Sequence, residues 1–541
     1  MNDDTGIAAF CCSCGGTSDL SGVIQYLSAD SATASIYQHP NLCSRAGIEF
    51  FTEKLSGDDA ERVLVAGCAS HLRQKKWEQA LQSLERSPHS LAAADCRLQS
   101  TEAGRTTSVA AAVQRLTRVR LPERKKISVV SEVMIVGAGL CGLRAAERLS
   151  MRGCSVILVD ENDCKPSVYP DRQTERMIGE LKETISVREN VNEIQAQVNE
   201  VNGYVGNFSV TLQPENGESV RMRVGAIVAA PEPEIVPGEQ VNGETVIGLG
   251  QLAGRLQQLS EDPGEEGRRP HVAFLLDAGR ERDVSFAAAL RGALAVKDAL
   301  PCEVYLIFQD AKVSGPVVQR LYRTARQRGV VCVKLDEEAS ETAVEHKDGS
   351  RLTVKVDCEP LPGQITDSEQ RLSLPCDLVV VEEEFRLPQS MHQLVESAEV
   401  SLGPDGFMQD DTVHQLPVET NRKGIFAAGH ARGPKMDSEL LDDADAAAAG
   451  AYQIAAGEVF TTGEGAEVDA GQCALCLTCL RTCPFKAVQV DYTEAAARIV
   501  SSECRSCGIC ASECPAEAIQ LPLYEDEAMF ASLKTLKDDT T

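Results

Sequence analysis

The chain has 541 residues, 43% hydrophobic and 25% charged, an ordinary globular composition with room for several domains at about 150 residues each. Its 81 acidic residues against 53 basic ones give a formal net charge of -28, which argues against binding nucleic acid or an anionic membrane, whose phosphates attract basic surfaces. No run of about 18 apolar residues is present to span a bilayer, the start Met1-Asn-Asp-Asp-Thr-Gly6 does not read as a signal peptide, and 21 cysteines point to a reducing cytoplasm.

In chain order, Phe10-Cys-Cys-Ser-Cys-Gly-Gly-Thr17 sets cysteines on a glycine turn, and Cys43 follows in Leu-Cys-Ser-Arg-Ala-Gly47. Cys68 then ends the apolar strand Val63-Leu-Val-Ala-Gly67, a usual place for a loop ligand. Four thiolates, Cys12, Cys14, Cys43 and Cys68, are enough for one [4Fe-4S] cluster. On spacing alone, two core cysteines and two spare thiols remain the plainer alternative. The order C-x-C-G-G, C-S-x-x-G and a strand ending in A-x-C resembles the N-terminal domain of the A-type polypeptide of heterodisulfide reductase, which implies a cluster on these four cysteines and leaves Cys11 unassigned. Val109, Val113, Leu116 and Val119 predict a helix over 108–120, and Leu121-Pro-Glu-Arg-Lys-Lys126 reads as a hinge. Residues 1–105 are thus expected to form an N-terminal iron-sulfur domain, with 106–130 as a linker.

Val133-Met-Ile-Val-Gly-Ala-Gly-Leu-Cys-Gly142 is an apolar strand running into G-x-G-x-x-G, followed by a helix and a second strand, Ser155 to Val159, that ends at Asp160. In that order the glycines are a dinucleotide fingerprint: Gly137 makes the turn with Ala138, Gly139 lets the backbone approach a diphosphate, Gly142 lets helix and strand pack, and Asp160 takes a ribose hydroxyl. Downstream, Pro417-Val-Glu-Thr420 and Gly424-Ile-Phe-Ala-Ala-Gly429 resemble the segment with which flavoproteins of the thioredoxin reductase type return to their FAD domain. That resemblance favours FAD over NAD and implies that Gly429 lies beside the flavin. The FAD domain is expected in two parts, 131–245 and 406–462, with a packed helix over the alanine-rich stretch from Ala444.

Between them, 246–405 carries the strands Val272–Leu276, Val304–Phe308, Val330–Val333 and Leu378–Val381, the alternation of a nested NAD(P)H-domain-like α/β unit. Its first turn, Asp277-Ala-Gly-Arg-Glu-Arg282, has one glycine, and this half holds no C-x-x-C dithiol. Cys302, Cys332, Cys358 and Cys376 read as buried small residues.

Cys473-x2-Cys476-x2-Cys479-x3-Cys483-Pro recurs 31 residues later as Cys504-x2-Cys507-x2-Cys510-x3-Cys514-Pro. This is the run that wraps a [4Fe-4S] cluster in bacterial ferredoxins, where the fourth cysteine of each run ligates the other cluster. One cluster is therefore expected on Cys473, Cys476, Cys479 and Cys514, and the second on Cys504, Cys507, Cys510 and Cys483. A zinc ribbon needs only four ligands, and a disulfide framework needs an oxidising compartment. Residues 463–525 form the expected two-cluster ferredoxin domain, and 526–541 an acidic tail.

Over nearly its full length the chain resembles the heterodisulfide reductase A-subunit family. The resemblance implies an α/β fold with two dinucleotide-binding domains of thioredoxin reductase type, flanked by an N-terminal iron-sulfur domain and a C-terminal α+β ferredoxin domain, carrying FAD and three [4Fe-4S] clusters. It implies an oxidoreductase subunit within a hetero-oligomeric complex. Electrons pass from a hydrogenase or formate dehydrogenase type of donor to disulfide, quinone or ferredoxin acceptors, through B/C-type iron-sulfur subunits; in some members the flavin splits electron pairs by bifurcation. No side-chain constellation suggests acid-base or nucleophilic catalysis. The chain departs from the family where Asp163-Cys-Lys-Pro-Ser-Val-Tyr-Pro170 replaces a longer glycine and cysteine segment, where Ala229-Ala-Pro231 replaces A-T-G, where Ser285-Phe-Ala-Ala-Ala replaces cysteines, and where His430 replaces an acid. Two rival readings are an NAD(P)H-dependent reductase resembling the small subunit of glutamate synthase and a flavin-free iron-sulfur wire and scaffold.

Overall fold

A computed structural model describes residues 6–67, 70–121, 124–161, 169, 171–238, 241–261, 269–276, 283–335, 343–346, 352–356, 372–456, 459–462 and 465–538. They fall into two compact units, Met1–Ile127 together with Phe460–Thr541, and Ser128–Val459.

The first unit opens with four strands, β1 (Ile7–Cys12), β2 (Thr33–His39), β3 (Arg62–Gly67) and β4 (Leu91–Asp95). All pair in parallel in the order β2-β1-β3-β4. Four helices connect and flank them, α1 (Ser21–Ala29), α2 (Arg45–Ser56), α3 (Ser70–Ser83) and α4 (Glu102–Leu116). The central strands β1 and β3 are buried along their whole length, the uninterrupted apolar pattern of a parallel sheet covered on both faces. Alternation splits β1: Ile7, Ala9 and Cys11 join the core that holds Val109, Val113 and Leu116 of α4, while Ala8, Phe10 and Cys12 join the core with Phe51, Leu55 and Trp77. The helix expected over 108–120 begins earlier, at Glu102, because Thr101 caps it: its Oγ1 accepts the Gly104 N–H at 3.1 Å.

The same unit ends in the ferredoxin segment. Glu467–Val468 pairs antiparallel with Ile519–Gln520, and Val488–Asp491 with Ala496–Ile499; the short helices Thr478–Thr482 and Ile509–Ser512 stand at matching places in the two repeats. Of the stretch read as an acidic tail, Asp526–Asp538 is a helix. It buries Ala528 in the α4-side core, and Arg115 of α4 donates to the carbonyl of Leu523 just before it at 3.2 Å.

The second unit contains two nested α/β domains. The first has a five-stranded parallel sheet ordered Ile425–Ala427, Ala226–Ala229, Val133–Val136, Val156–Asp160, Val191–Gln195, with α5 (Leu140–Met151) and the helix Asp437–Ala455 packed on one side and an antiparallel meander over residues 197–224. The second has a five-stranded parallel sheet of Val246–Gly248, Leu378–Val381, His271–Leu275, Glu303–Phe308 and Val330–Lys334. Each expected strand is present to within a residue or two, and the alanine-rich helix packs as expected through Ala444, Ala447, Ala448 and Ala451. Cys302 and Cys376 are buried, Cys332 is half-buried, and Cys358 lies outside the described residues. So do 162–168 and 277–282, the first of them the place of a departure from the family pattern. Among the described residues no helix is long and apolar enough to cross a membrane.

Candidate redox centres

In the ferredoxin segment each cysteine run folds as a loop held open by left-handed residues between the thiols: Leu475 and Leu477 at φ 49° and 60°, Ser506 and Gly508 at 54° and 78°. Backbone N–H groups reach sulfur here, among them Ser506 N–H to Cys504 Sγ from the turn and Ala497 N–H to Cys473 Sγ from the strand Ala496–Ile499, both at 3.5 Å. Two cavities of nearly equal size result, about 330 and 340 Å3 with their mouths. Cys473, Cys476, Cys479 and Cys514 line one, and Cys483, Cys504, Cys507 and Cys510 line the other. Each cavity takes its fourth cysteine from the other run, which is the crossed grouping that the spacing predicts. The two sets adjoin: burial pushes the Cys510 thiol up to about 12, helped by Cys504, Cys483 and Cys507 of its own set and then Cys479 of the other. Cys476 is exposed, and hydrogen bonds with Thr478 hold its thiol below the usual range. No two described cysteines are disulfide-bonded, and among the described residues no three ligand side chains converge as on a single metal ion. Thiols ringing a cavity fit a cubane, whose iron corners are spread apart, better than one ion.

Three of the four N-terminal candidates, Cys12, Cys14 and Cys43, sit at the carboxyl edge of the parallel sheet. The strand order reverses between β1 and β3, and such a switch point opens a crevice beyond the strand ends. Cys12 is the last residue of β1, Cys14 stands in the turn after it at φ 52°, and Cys43 directly precedes Ser44, the cap of α2. The carbonyl of Pro40 joins the first two loops, accepting the Gly15 N–H at 2.8 Å and facing Cys12 Sγ at 3.5 Å. Cys68 follows Gly67, the end of β3, and lies outside the described residues. A Cβ on Gly67 would come within 2.8 Å of Cys12 Cβ, so the end of β3 runs directly beside Cys12. Cys11 points to the opposite face from Cys12, which separates it from this crevice. Cys96, which no sequence motif singles out, follows β4; its N–H donates to the Gly67 carbonyl at 2.6 Å, and burial pushes its thiol up to about 12, with Cys11 adding to the rise. The one signal for it is its position, just past the end of a strand as Cys68 is.

In the second unit the dinucleotide fingerprint forms as read. Gly137 has φ 111°, and a Cβ there would meet the Ala230 carbonyl at 2.1 Å; on Gly142 it would meet the Gly137 carbonyl at 1.8 Å. Asp160 ends its strand, and its Oδ2 accepts the Ala138 N–H at 2.6 Å. A cavity of about 610 Å3 with its mouth lies beside it, lined by Gly137, Asp160, Val198, Pro231, Glu232 and Met391 among others. Gly429 comes back to the same place: its Cβ position lies 2.9 Å from Cys141 Sγ of α5, and its N–H donates to Asp443 Oδ2 at 3.0 Å.

Two further residues meet there. A Cβ on Gly139 would fall 1.9 Å from Glu232 Oε1, so this carboxyl group lies against the glycine that a diphosphate approaches. Glu232 Oε2 and His430 Nε2 are buried and stand 3.5 Å apart. Burial, with Asp160 and Asp437 nearby, pushes Glu232 up to about 8, and burial brings His430 down to about 4, so near neutral pH this is a contact of two uncharged groups and not an ion pair. The glycine cradle and Asp160 fit FAD, and the Glu232 side chain lies where a diphosphate would approach Gly139.

Residues 466–515 match the family model of the 4Fe-4S dicluster domain, and residues 135–165 that of the NAD(P)-binding Rossmann-like domain. An A-type iron-sulfur polypeptide of the CoB–CoM heterodisulfide reductase of Methanopyrus kandleri is 23% identical over 90% of this chain and 91% of its own length. The A-type polypeptide of the H(2)/formate:CoB-CoM heterodisulfide,ferredoxin reductase of Methanococcus maripaludis is 22% identical over 90% and 91%. Among solved structures, the thioredoxin reductase of Lactococcus lactis aligns with 60% of this chain and 99% of its own, at 13% identity and a TM-score of 0.40. The chain is similar to these A-type heterodisulfide reductase polypeptides along nearly its whole length.

Proposed function

We propose that the chain is the FAD-containing iron-sulfur electron-transfer subunit of a heterodisulfide-reductase-like complex in the cytoplasm, an oxidoreductase component that relays electrons and carries no acid-base machinery of its own. The observation that supports this best is the pair of adjoining four-cysteine cavities, each completed by a cysteine of the other run. Two cubanes held so close would make a relay for single electrons, and a flavin held in the second unit would supply the link between electron pairs and single electrons.

In this reading the chain's residues hold, shield and expose. The eight ferredoxin cysteines are ligands; Phe485, Val488 and Ile499 cover one site, while exposed Cys476 leaves the other near the surface for exchange with a partner. Cys12, Cys14, Cys43 and Cys68 hold a third cluster at the crevice of the N-terminal sheet. Gly137, Ala138, Gly139, Gly142, Asp160 and Gly429 hold FAD. The partners are donor modules of hydrogenase or formate dehydrogenase type, B/C-type iron-sulfur subunits and ferredoxin, and the acceptor is a disulfide, a quinone or ferredoxin; the donor and ferredoxin readings draw on the name of the Methanococcus relative.

Iron and flavin per chain after anaerobic purification test the reading. About twelve irons and one FAD are expected, at four irons for each of three clusters. About eight irons removes the N-terminal cluster. Twelve irons with no flavin at any added concentration favours a flavin-free wire, a second reading that the position of Glu232 supports.

A further inference from the structure

The turn after the strand Ala226–Ala229 brings Glu232 into the dinucleotide cradle. Its backbone has little freedom to leave. Pro231 and Pro233 flank it and fix two φ angles, and the turn packs on the glycine loop, with Ala230 and Pro231 atoms 2.1 to 2.8 Å from where a Gly137 Cβ would be. Only the side chain can move. It lies against Gly139, the residue before α5, which offers the start of that helix no side-chain acceptor. On its other side stands His430, more than nine-tenths buried, with Nε2 3.5 Å from Glu232 Oε2. The start of a helix on one side and an imidazole on the other suit the oxygens of a diphosphate, and a carboxyl group that is uncharged near neutral pH lies there instead. Its other acidic neighbours, Asp160 and Asp437, do not bond to it.

We infer that Glu232 is a built-in competitor for the diphosphate of FAD, so that this chain binds flavin only as the Glu232 side chain leaves Gly139. The inference rests on the FAD reading and adds to it a residue that sets how tightly the flavin is held. The adenosine end belongs at Asp160, the acid at the end of the second strand, which takes a ribose hydroxyl rather than the diphosphate. Ligands with a diphosphate therefore feel the competitor, and adenosine does not.

The test uses the full chain with its clusters, dialysed free of flavin, and calorimetric titration with FAD, ADP and adenosine. Glu232→Ala is expected to tighten FAD and ADP at least tenfold and to leave adenosine unchanged, with iron content equal to wild type as the sign that the variant is folded. Glu232→Gln keeps the side-chain volume and is expected to keep most of the block. FAD and ADP bound no tighter by Glu232→Ala than by wild type overturns the inference, and so does Glu232→Gln matching Glu232→Ala, which transfers the effect from occupancy to charge. Failure of both wild type and Glu232→Ala to bind FAD at all overturns the FAD reading itself, and the inference with it. Flavin retained equally by both overturns only the inference.

Discussion

The ferredoxin segment and the edges of the parallel sheets assemble their sites in opposite ways. In the first, all eight thiols lie within residues 473–514, and left-handed turns between them wind each loop around its own cavity. In the second, Cys12 ends β1, Cys14 stands in the turn after it and Cys43 in the loop beyond β2, and the dinucleotide cradle gathers Gly139, Asp160, Glu232, Gly429 and His430 from distant stretches. A wound loop writes its chemistry as spacing. A sheet edge writes it as topology, because strand ends adjoin only after the whole sheet has formed.

The sharpest way to break this contrast is a change at the crossing. Cys483→Ala is expected to cost about four irons per chain and the spectroscopic signature of the site lined by Cys504, Cys507 and Cys510, with the neighbouring site on Cys473, Cys476 and Cys479 kept. Loss confined to its sequence neighbours, measured by iron analysis and electron paramagnetic resonance, would mean that spacing misreads the partner. Cys12→Ala makes the counterpart. It is expected to remove only the N-terminal cluster, again about four irons, and to leave both ferredoxin signals intact. Cys96→Ala, on the Cys11 face of the same sheet, is expected to leave iron unchanged and to lower stability by about 1 kcal/mol as a small loss of buried volume.

These two kinds of site also explain what is legible before folding. The crossed grouping of eight cysteines, the glycine cradle with Asp160 and the strands around them follow from spacing and apolar runs. Glu232 does not announce itself, because a glutamate between prolines reads as a solvated turn until the Gly137 loop is seen to press the turn inward. His430 stands out in the sequence only as a departure from an expected acid; its burial and its contact with Glu232 are tertiary facts. Cys11 and Cys12 are neighbours in sequence, and only the two-residue alternation of β1 separates the residue that faces the α4 core from the one beside Pro40. The helix over Asp526–Asp538 reads as tail because its acids outweigh the short apolar period that buries Ala528.

A further prediction uses acidity at the cradle. Glu232 holds its proton up to about pH 8 in the folded chain but ionises near its ordinary 4.5 when unfolded, so the folded state binds more protons in between and loses stability as pH rises across that window. His430 acts in the other direction and lower down: lowered from 6.5 to about 4, it costs stability only as pH falls below 6.5. Between pH 6.5 and 8 the Glu232 effect is therefore isolated. Glu232→Gln cannot ionise and is expected to gain on wild type by about 2 kcal/mol over that interval, read by denaturant unfolding of the full chain, with little further gain above it. A gap that stays constant with pH would place the carboxyl group in water rather than against Gly139.

The smallest expected effect bears most directly on how sheet-edge ligands are held. Cys43 lies in the turn closed by the Ser44 N–H to the Asn41 carbonyl at 3.1 Å, and the Ser44 hydroxyl accepts the Gly47 N–H at 3.0 Å and donates to the Asn41 carbonyl at 2.7 Å, so one side chain ties the start of α2 to the loop that carries the thiol. Ser44→Ala removes both bonds and is expected to cost about 1 kcal/mol of stability, the usual value of a lost N-cap. Because that loop, and no other ligand loop, loses its anchor, the N-terminal cluster is expected to bleach faster under mild chelation or oxygen while the two ferredoxin clusters, wound into their own turns, keep their wild-type lifetimes. Equal lability of all three under the same chelator would show that the sheet edge holds its thiols as firmly as the wound loops do, and would remove the distinction between the two kinds of site.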